Sequence, residues 1–335
     1  GLLETEFDNG TYGECTGTLV AENLVLTAAH CLAAGDKRAE SVTFYPNIRN
    51  VESERIRSYY ASDIWINKNY YAETIRREAD DPISFAEIEN DMAVVVLDRQ
   101  TEQKAAGDRF GYESFAYRTN SNREYKAMTL GYPGDKEKDT LWRDDNCFSV
   151  PYNENVYDIE CDIYPGQSGS PLLMKNTKTN NTHIYGVVSA GNKGRGENYA
   201  TRMRKSLFKD ILNLKKGQSY KVKNFSSFSL SVPKVSRISI RNKCFRELQI
   251  AVKYYDSEAH QWETKAWYRI DGRETKRQLI WASGRRYYYY AQSLDGDKVW
   301  RGRYDRGALY GMDDDGFRKK TLDYNGDHYL NLTCN

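Results

Sequence analysis

From residue 11 to about 200 the chain alternates short apolar or β-branched runs with turn-rich polar stretches. Runs of this kind occupy Thr18–Thr27, Met92–Leu97, Tyr125–Leu130 and Ile184–Ser189. Each has the length and composition of a β-strand, and the pattern predicts a strand-rich domain. One segment breaks it. Across Ala200–Leu214 the apolar positions Met203, Leu207, Ile211 and Leu214 fall on one stripe, which predicts a helix. Lys215–Gly217 ends that stripe and marks a domain boundary. The remainder again reads as strands, through Phe225–Val232 and Ile238–Val252. Turns are expected at Asp271–Gly272, Gly284, Asp295–Gly296 and Asn325–Gly326. The expected organisation is all-β, with one domain over 1–216 and a smaller β-rich, sandwich-like one over 219–335.

Composition narrows the possibilities. At 335 residues the chain has room for two domains, and no apolar run approaches the roughly 20 residues of a membrane helix. The 49 basic and 47 acidic residues leave a net charge of +2, which gives no reason to expect a nucleic-acid partner. Six cysteines, Cys15, Cys31, Cys147, Cys161, Cys244 and Cys334, fall as two close pairs and one distant pair. That spacing suggests Cys15–Cys31, Cys147–Cys161 and Cys244–Cys334, although six cysteines allow fifteen pairings in principle. None has Cys-x-x-Cys spacing, so bridges are expected rather than a metal site, and no cofactor. Bridges point to an oxidising compartment, secreted or periplasmic, with a leader outside this numbering.

Three motifs carry chemistry. Leu26-Thr27-Ala28-Ala29-His30-Cys31 closes an apolar strand. Glu89-Asn90-Asp91-Met92-Ala93-Val94-Val95-Val96-Leu97 puts an acid at the head of a buried one. Gly166-Gln167-Ser168-Gly169-Ser170-Pro171 is a glycine-flanked turn carrying a serine. A serine hydroxyl is a weak nucleophile that needs an imidazole to take its proton. The imidazole needs a carboxylate to hold one tautomer. An oxyanion needs backbone donors, which Gly166 and Ser168 can aim into one small space. Singly, each motif is ordinary. A histidine after a strand is usually packed, a lone aspartate usually caps a turn, and Gly-x-Ser-Gly arises by chance. His183, His260 and His328 lack such surroundings and read as structural or surface residues.

In this order and spacing, the three motifs resemble those of the chymotrypsin/trypsin superfamily over roughly residues 1–216. The run from Tyr157 to Pro171 resembles the serine motif of its bacterial glutamyl-endopeptidase (V8-like) branch. The resemblance implies two packed β-barrels with the site between them, and a catalytic triad of His30, Asp91 and Ser168. It implies a serine endopeptidase acting on proteins or peptides by an acyl-enzyme mechanism. It also implies that Cys15–Cys31 braces the histidine, and that Asp162, Ser189 and Gly191 belong to the pocket for the residue before the scissile bond. Asp162 stands six before the nucleophile, at the expected pocket base, where a buried carboxylate favours a basic partner. Val188 replaces the histidine usual in glutamyl endopeptidases. Cleavage after Arg or Lys is therefore expected, with an acidic or other preference as the alternative. Gln167 replaces the aspartate that pairs with the new N-terminus in trypsin-like zymogens, so activation by that ion pair is not expected.

The C-terminal part carries no catalytic set. Trp262, Trp267-Tyr268, Tyr287-Tyr288-Tyr289-Tyr290-Ala291 and Val299-Trp300 resemble segments of a small bacterial domain family of unknown function. Its aromatics read first as core and cross-strand pairs, and second as a platform for a carbohydrate or protein ligand, with Arg269, Arg285, Arg286, Arg301, Arg303 and Arg306 among them. Asp313-Asp314-Asp315-Gly316 reads as a solvated turn rather than a calcium loop. Glycosylation sequons start at Asn9, Asn180, Asn224 and Asn331. A catalytically silent protease-like protein, working through this C-terminal part, is the rival from another class.

Overall fold

A computed structural model describes residues 1–46, 58–77, 81–98, 105–119, 123–137, 140–176, 179–192, 197–230, 235–256, 261–283, 286–305, 309, 315–322 and 327–334. The predictions at His260, Gly284, Arg285, Arg306, Asp313, Asp314 and Asn325–Gly326 lie outside the described residues. The chain divides into two compact units, with the main break between Val232 and Pro233.

The first unit begins with eight strands: β1 (Leu2–Phe7), β2 (Tyr12–Thr16), β3 (Thr18–Leu19), β4 (Leu24–Thr27), β5 (Ala33–Ala34), β6 (Lys37–Tyr45), β7 (Tyr59–Asn67) and β8 (Ala93–Leu97). They form a sheet in the order β2-β1-β6-β7-β8-β4-β3, with β5 on β6. Short helices α1 (Lys68–Thr74) and α2 (Phe85–Ile88) lie between β7 and β8. The expected strand Thr18–Thr27 is a hairpin of two short strands, because Val20 to Asn23 turn the chain; Val20 N–H donates to the Leu24 carbonyl at 2.9 Å.

After α3 (Ala106–Phe110), six strands close a barrel: β9 (Tyr125–Gly131), β10 (Trp142–Pro151), β11 (Val156–Ile159), β12 (Pro171–Lys175), β13 (Thr182–Asn192) and β14 (Glu197–Arg202), in the order β10-β11-β14-β13-β12-β9. The two-barrel expectation therefore holds. Helix α4 spans Lys205–Lys215, shorter than the stripe from Ala200 suggested. Thr201 pairs with Val156 and Ala200 with Tyr157, so the barrel takes Glu197–Arg202 as a strand. Sheet hydrogen bonds to two neighbours outweigh the helical periodicity there.

The first unit also extends past the expected boundary at Lys216. Strand β15 (Phe225–Ser229) pairs with β7, Phe225 opposite Asn67 and Ser229 opposite Asp63. On that edge β6 reaches only Tyr59 and Tyr60, and β15 fills what β6 leaves open. Buried Asp210 on α4 ties the lead-in down: its Oδ2 accepts from Lys223 N at 3.0 Å, Asn224 N at 2.7 Å and Asn224 Nδ2 at 2.8 Å. The sequon amide of Asn224 is thus engaged inside the fold.

The second unit holds β16 (Val235–Asn242), β17 (Leu248–Asp256), β18 (Gln261–Ile270), β19 (Thr275–Ser283), β20 (Arg286–Ser293), β21 (Val299–Trp300), β22 (Arg318–Thr321) and β23 (Asp327–Leu332). They make a three-stranded sheet, β19-β16-β23, and a five-stranded sheet, β18-β17-β20-β21 with β22 on β20. Ile238, Ile240 and Leu330 of one sheet and Leu248, Ile250, Tyr287 and Tyr289 of the other share one core. The tyrosine run alternates as a strand requires: Tyr287 and Tyr289 enter this core, while Tyr290 packs with Ala251, Phe317 and Trp267 in another cluster. Trp262 meets Tyr255 and Tyr288 at ring-centroid distances of 5.9 and 5.5 Å.

All three cysteine pairs are joined as the spacing suggested: Cys15–Cys31, Cys147–Cys161 and Cys244–Cys334.

Candidate active site

His30 sits in a single 3-10 turn directly after β4, where Ala29 and Cys31 are buried and anchor it on both sides. The Cys15–Cys31 bridge ties that turn to β2. Asp91 follows α2, whose start is fixed by a reciprocal cap: Ser84 Oγ accepts from Glu87 N at 3.2 Å and Ser84 N donates to Glu87 Oε2 at 2.8 Å. The short helix delivers Asp91, fully buried, to the foot of β8.

Three donors converge on the Asp91 carboxylate. His30 N donates to Oδ1 at 2.8 Å, His30 Nδ1 meets Oδ2 at 2.6 Å, and Ser189 Oγ donates to Oδ2 at 2.5 Å. The imidazole is thereby held with its proton on Nδ1, since the carboxylate can only accept. The His30 side chain keeps 24% exposure against none for Asp91, so the far edge of the ring is reachable while its anchor is not. Burial pushes the His30 pKa down, but the Asp91 charge and hydrogen bond, aided by Glu87, outweigh it and hold it above the ordinary imidazole value.

The serine turn lies between β11 and β12 and is pinned to the first barrel. Thr16 N donates to the Ser168 carbonyl at 2.8 Å, and Thr16 Oγ1 to the Gly166 carbonyl at 3.0 Å. Thr27 Oγ1, three residues before His30, donates to the Thr16 carbonyl at 2.8 Å. Two left-handed glycines make this approach possible. Gly166 has φ +95° and a Cβ there would lie 2.3 Å from the Tyr132 carbonyl; Gly169 has φ +85° and would meet the Thr16 carbonyl at 2.1 Å. Ser168 is half-exposed, and the amides of Gly166 and Ser168 have no acceptor among the described residues. The turn can therefore offer two N–H donors and one hydroxyl to a ligand.

Gln167 is buried, and its Oε1 accepts from Tyr164 N at 2.7 Å while its own N–H donates to the Tyr164 carbonyl at 3.0 Å. The residue staples the loop that leads into the turn. Sequence reasoning saw only what this side chain lacked. Glu87 was also missed, although the Ser-x-x-Glu capping signature was in view. Its carboxylate is buried and paired with Arg77 at 3.1 Å. Burial pushes the Glu87 pKa up, but hydrogen bonds from Ser84, Arg77 and Thr74 outweigh this and hold it low. Tyr70 Oη and Thr74 Oγ1 on α1 bond the loop after His30, at the Ala33 carbonyl and Gly35 N.

The expected pocket residues fare differently. Ser189 is buried and serves Asp91; Gly191 is exposed beside Asn198, whose Oδ1 would lie 2.4 Å from an added Cβ. Asp162 is not the buried carboxylate expected. Its side chain is exposed, and its backbone N–H donates to Asp144 Oδ2 at 3.0 Å. A carboxylate in solvent suffers little desolvation and calls for no basic partner. A cation already stands near it: Lys136 pairs with Asp135 at 2.8 Å, with its Nζ 5.6 Å from the Tyr164 ring. The Asp135 hydrogen bond, with Asp162 contributing, raises the Lys136 pKa.

Two groups of His, Cys and Asp come close enough to hold a metal among the described residues, Cys15 with His30 and Cys31, and Asp144 with Cys147 and Cys161. Their sulfurs are bridged and supply no thiolate.

The trypsin family model matches residues 5–212. A glutamyl endopeptidase of Bacillus licheniformis is 24% identical over 62% of this chain and 61% of its own length. An extracellular metalloprotease of Bacillus subtilis is 28% identical over 61% of this chain and 58% of its own. The chain thus spans about three fifths of the length of these curated relatives. Among solved structures, a Glu endopeptidase in complex with MPD is 24% identical with a TM-score of 0.49, over 64% of this chain and 90% of that one. A thermostable serine protease, AL20, from an extremophilic microorganism is 20% identical with a TM-score of 0.48, over 66% and 95%. With the fold, the three motifs and the family match in agreement, the chain belongs to the trypsin family.

Proposed function

We propose that the chain is a serine endopeptidase. The observation that carries this reading is the Asp91 carboxylate, filled by two donors from His30 and one from Ser189. This leaves Nε2 of His30 unprotonated and on the accessible edge of the ring. Ser168 Oγ attacks the scissile carbonyl as His30 Nε2 takes its proton, and the Gly166 and Ser168 amides receive the oxyanion. The same proton passes to the leaving amine as the C–N bond breaks, and the acyl group stays on Ser168. Water then attacks that ester with His30 again as base, releasing the acid and restoring the hydroxyl. On this reading the hydrolytic domain comprises both barrels and β15, and the second unit is an accessory β-rich domain.

The raised His30 pKa sets a pH dependence. Catalysis needs the neutral ring, so the acid limb of kcat/KM is expected above the ordinary imidazole pKa of about 6.5. Stability runs the other way. A pKa raised in the folded state contributes stability that is full below the unfolded value and lost as pH rises through the folded one. A pH–rate profile on a short peptide, beside a Tm series over the same range, checks both. An acid limb well below 6.5 would contradict the assigned base.

For specificity we favour an acidic residue before the scissile bond. The exposed Asp162 gives no support to Arg or Lys, Lys136 stands close by, and a relative is a glutamyl endopeptidase. Val188 is buried and offers no imidazole, so Lys136 is the cation assigned to this recognition. Lys136→Ala is expected to lower the Glu-over-Gln ratio of kcat/KM by up to about fivefold, the scale of an exposed ion pair. An unchanged ratio, or library cuts confined to Arg and Lys, would remove this assignment. Secretion belongs to the same proposal, supported by the three bridges and the extracellular relative.

A further inference from the structure

An open cavity of about 680 Å³ lies where β14 runs into α4. Arg118, Arg202, Arg204, Lys205 and Lys209 line it, against a single carboxylate, Glu154. Its volume is that of a small-ligand site, and none of these side chains has a part in the hydrolytic chemistry above.

The ring contacts and hydrogen bonds that hold the guanidinium groups in place come from neutral partners. Arg118 stacks on the rings of Tyr125 and Tyr185, at 4.3 and 4.2 Å, and its Nη2 donates to the Lys175 carbonyl at 2.7 Å. Arg202 is buried, lies 4.6 Å over the Tyr157 ring and donates to the Asn153 carbonyl. Arg204 donates from Nη1 to Asn155 Oδ1 at 2.7 Å and from Nη2 to Asn90 Oδ1 at 2.9 Å. Rings, carbonyls and amides orient these groups, and the one acid that acts on Arg204, Glu89, is outweighed by the burial that lowers the Arg204 pKa. The Nε atoms of Arg118 and Arg204 are buried with no hydrogen-bond partner.

Helix α4 adds to the imbalance. Its N-cap, Arg204, gives no side-chain cap, and no acid stands in its first turn. Lys205 and Lys209, both exposed, lie four apart on the same helix with no ion pair among the described residues. Acids are the residues that stabilise a helix start, and like charges four apart destabilise it. Here cations occupy both places, and they share the cavity with the guanidiniums.

We propose that this cavity binds a compact, multiply charged oxyanion of the phosphate or sulfate-ester class. Planar guanidiniums match two oxygens of such a group at once, and the two lysines act as point charges at the mouth. The site stands independently of the hydrolytic reading, and its test reads binding rather than turnover.

The test is isothermal titration calorimetry of the full chain with tripolyphosphate, and separately with a fully sulfated disaccharide, at low and at physiological ionic strength. One saturable site is expected, at least tenfold weaker in the exposed double variant Lys205→Glu/Lys209→Glu and weakened less in Lys205→Gln/Lys209→Gln. Circular dichroism and hydrolysis of a short peptide should match the parent in both variants. Binding of one probe alone, lost in the variants, supports the site and identifies the source of the oxyanion. Equal affinity in parent and variants, several weak sites, or no binding of either probe at low ionic strength overturns the proposal.

Discussion

Ser168→Ala is expected to lower kcat by about a millionfold while leaving the fold intact. Ser168 is half-exposed on a turn held through its neighbours' backbone, and its own carbonyl, retained in alanine, accepts from Thr16 N. The Thr16 bond to the Gly166 carbonyl and the Gln167 staple also survive the change. What is lost is the hydroxyl proposed as the nucleophile, on a turn whose Gly166 and Ser168 amides have no acceptor among the described residues. The two amides would remain, and residual hydrolysis above the uncatalysed rate is expected from them. Turnover of a chromogenic peptide and labelling by a serine-directed covalent probe check this together. Labelling that persists in the variant would exclude Ser168 as nucleophile. A parent chain that neither labels nor cleaves would favour the silent, protease-like binding protein.

Asp91→Asn is expected to cost about ten-thousandfold in kcat, by a route the hydrogen bonds specify. Both carboxylate oxygens face donors, and one donor is the backbone N–H of His30, which cannot reverse its role. The amide must therefore keep its oxygen at the Oδ1 position and turn its NH2 toward His30 Nδ1 and the Ser189 hydroxyl. The hydroxyl can rotate to accept. The imidazole can accept only by moving its proton from Nδ1 to Nε2. That tautomer presents a donor where the serine needs a base, so the ring stays in place yet cannot take the proton. Kinetics on a short peptide, with NMR of the imidazole nitrogens, would check both halves. A loss below tenfold, or a ring still protonated on Nδ1, would contradict this account.

The chemistry-bearing residues were legible because each sits in a short run with a local physical requirement. His30 closes an apolar strand, Asp91 heads a buried one, and Ser168 needs glycines beside it; nearest neighbours along the chain show all three. The sequon at Asn224 was equally visible, yet its amide is consumed by Asp210, fourteen residues away. Helical periodicity from Ala200 was genuine, but Glu197–Arg202 had partners waiting in β11 and β13, and a local pattern carries no record of such partners.

By itself the sequence determined the strand-rich architecture, suggested the cysteine pairs by their spacing, and singled out the three side chains of the proposed reaction. Tertiary structure alone decided that β15 completes the edge of β7, that Asp162 faces solvent, and that Gln167 staples the serine loop. It alone gathered Arg118, Arg202 and Arg204 around one cavity with α4. The division has one physical cause. Backbone propensity and side-chain chemistry act over a few residues, whereas burial and charge balance depend on which distant segments the fold sets against each other.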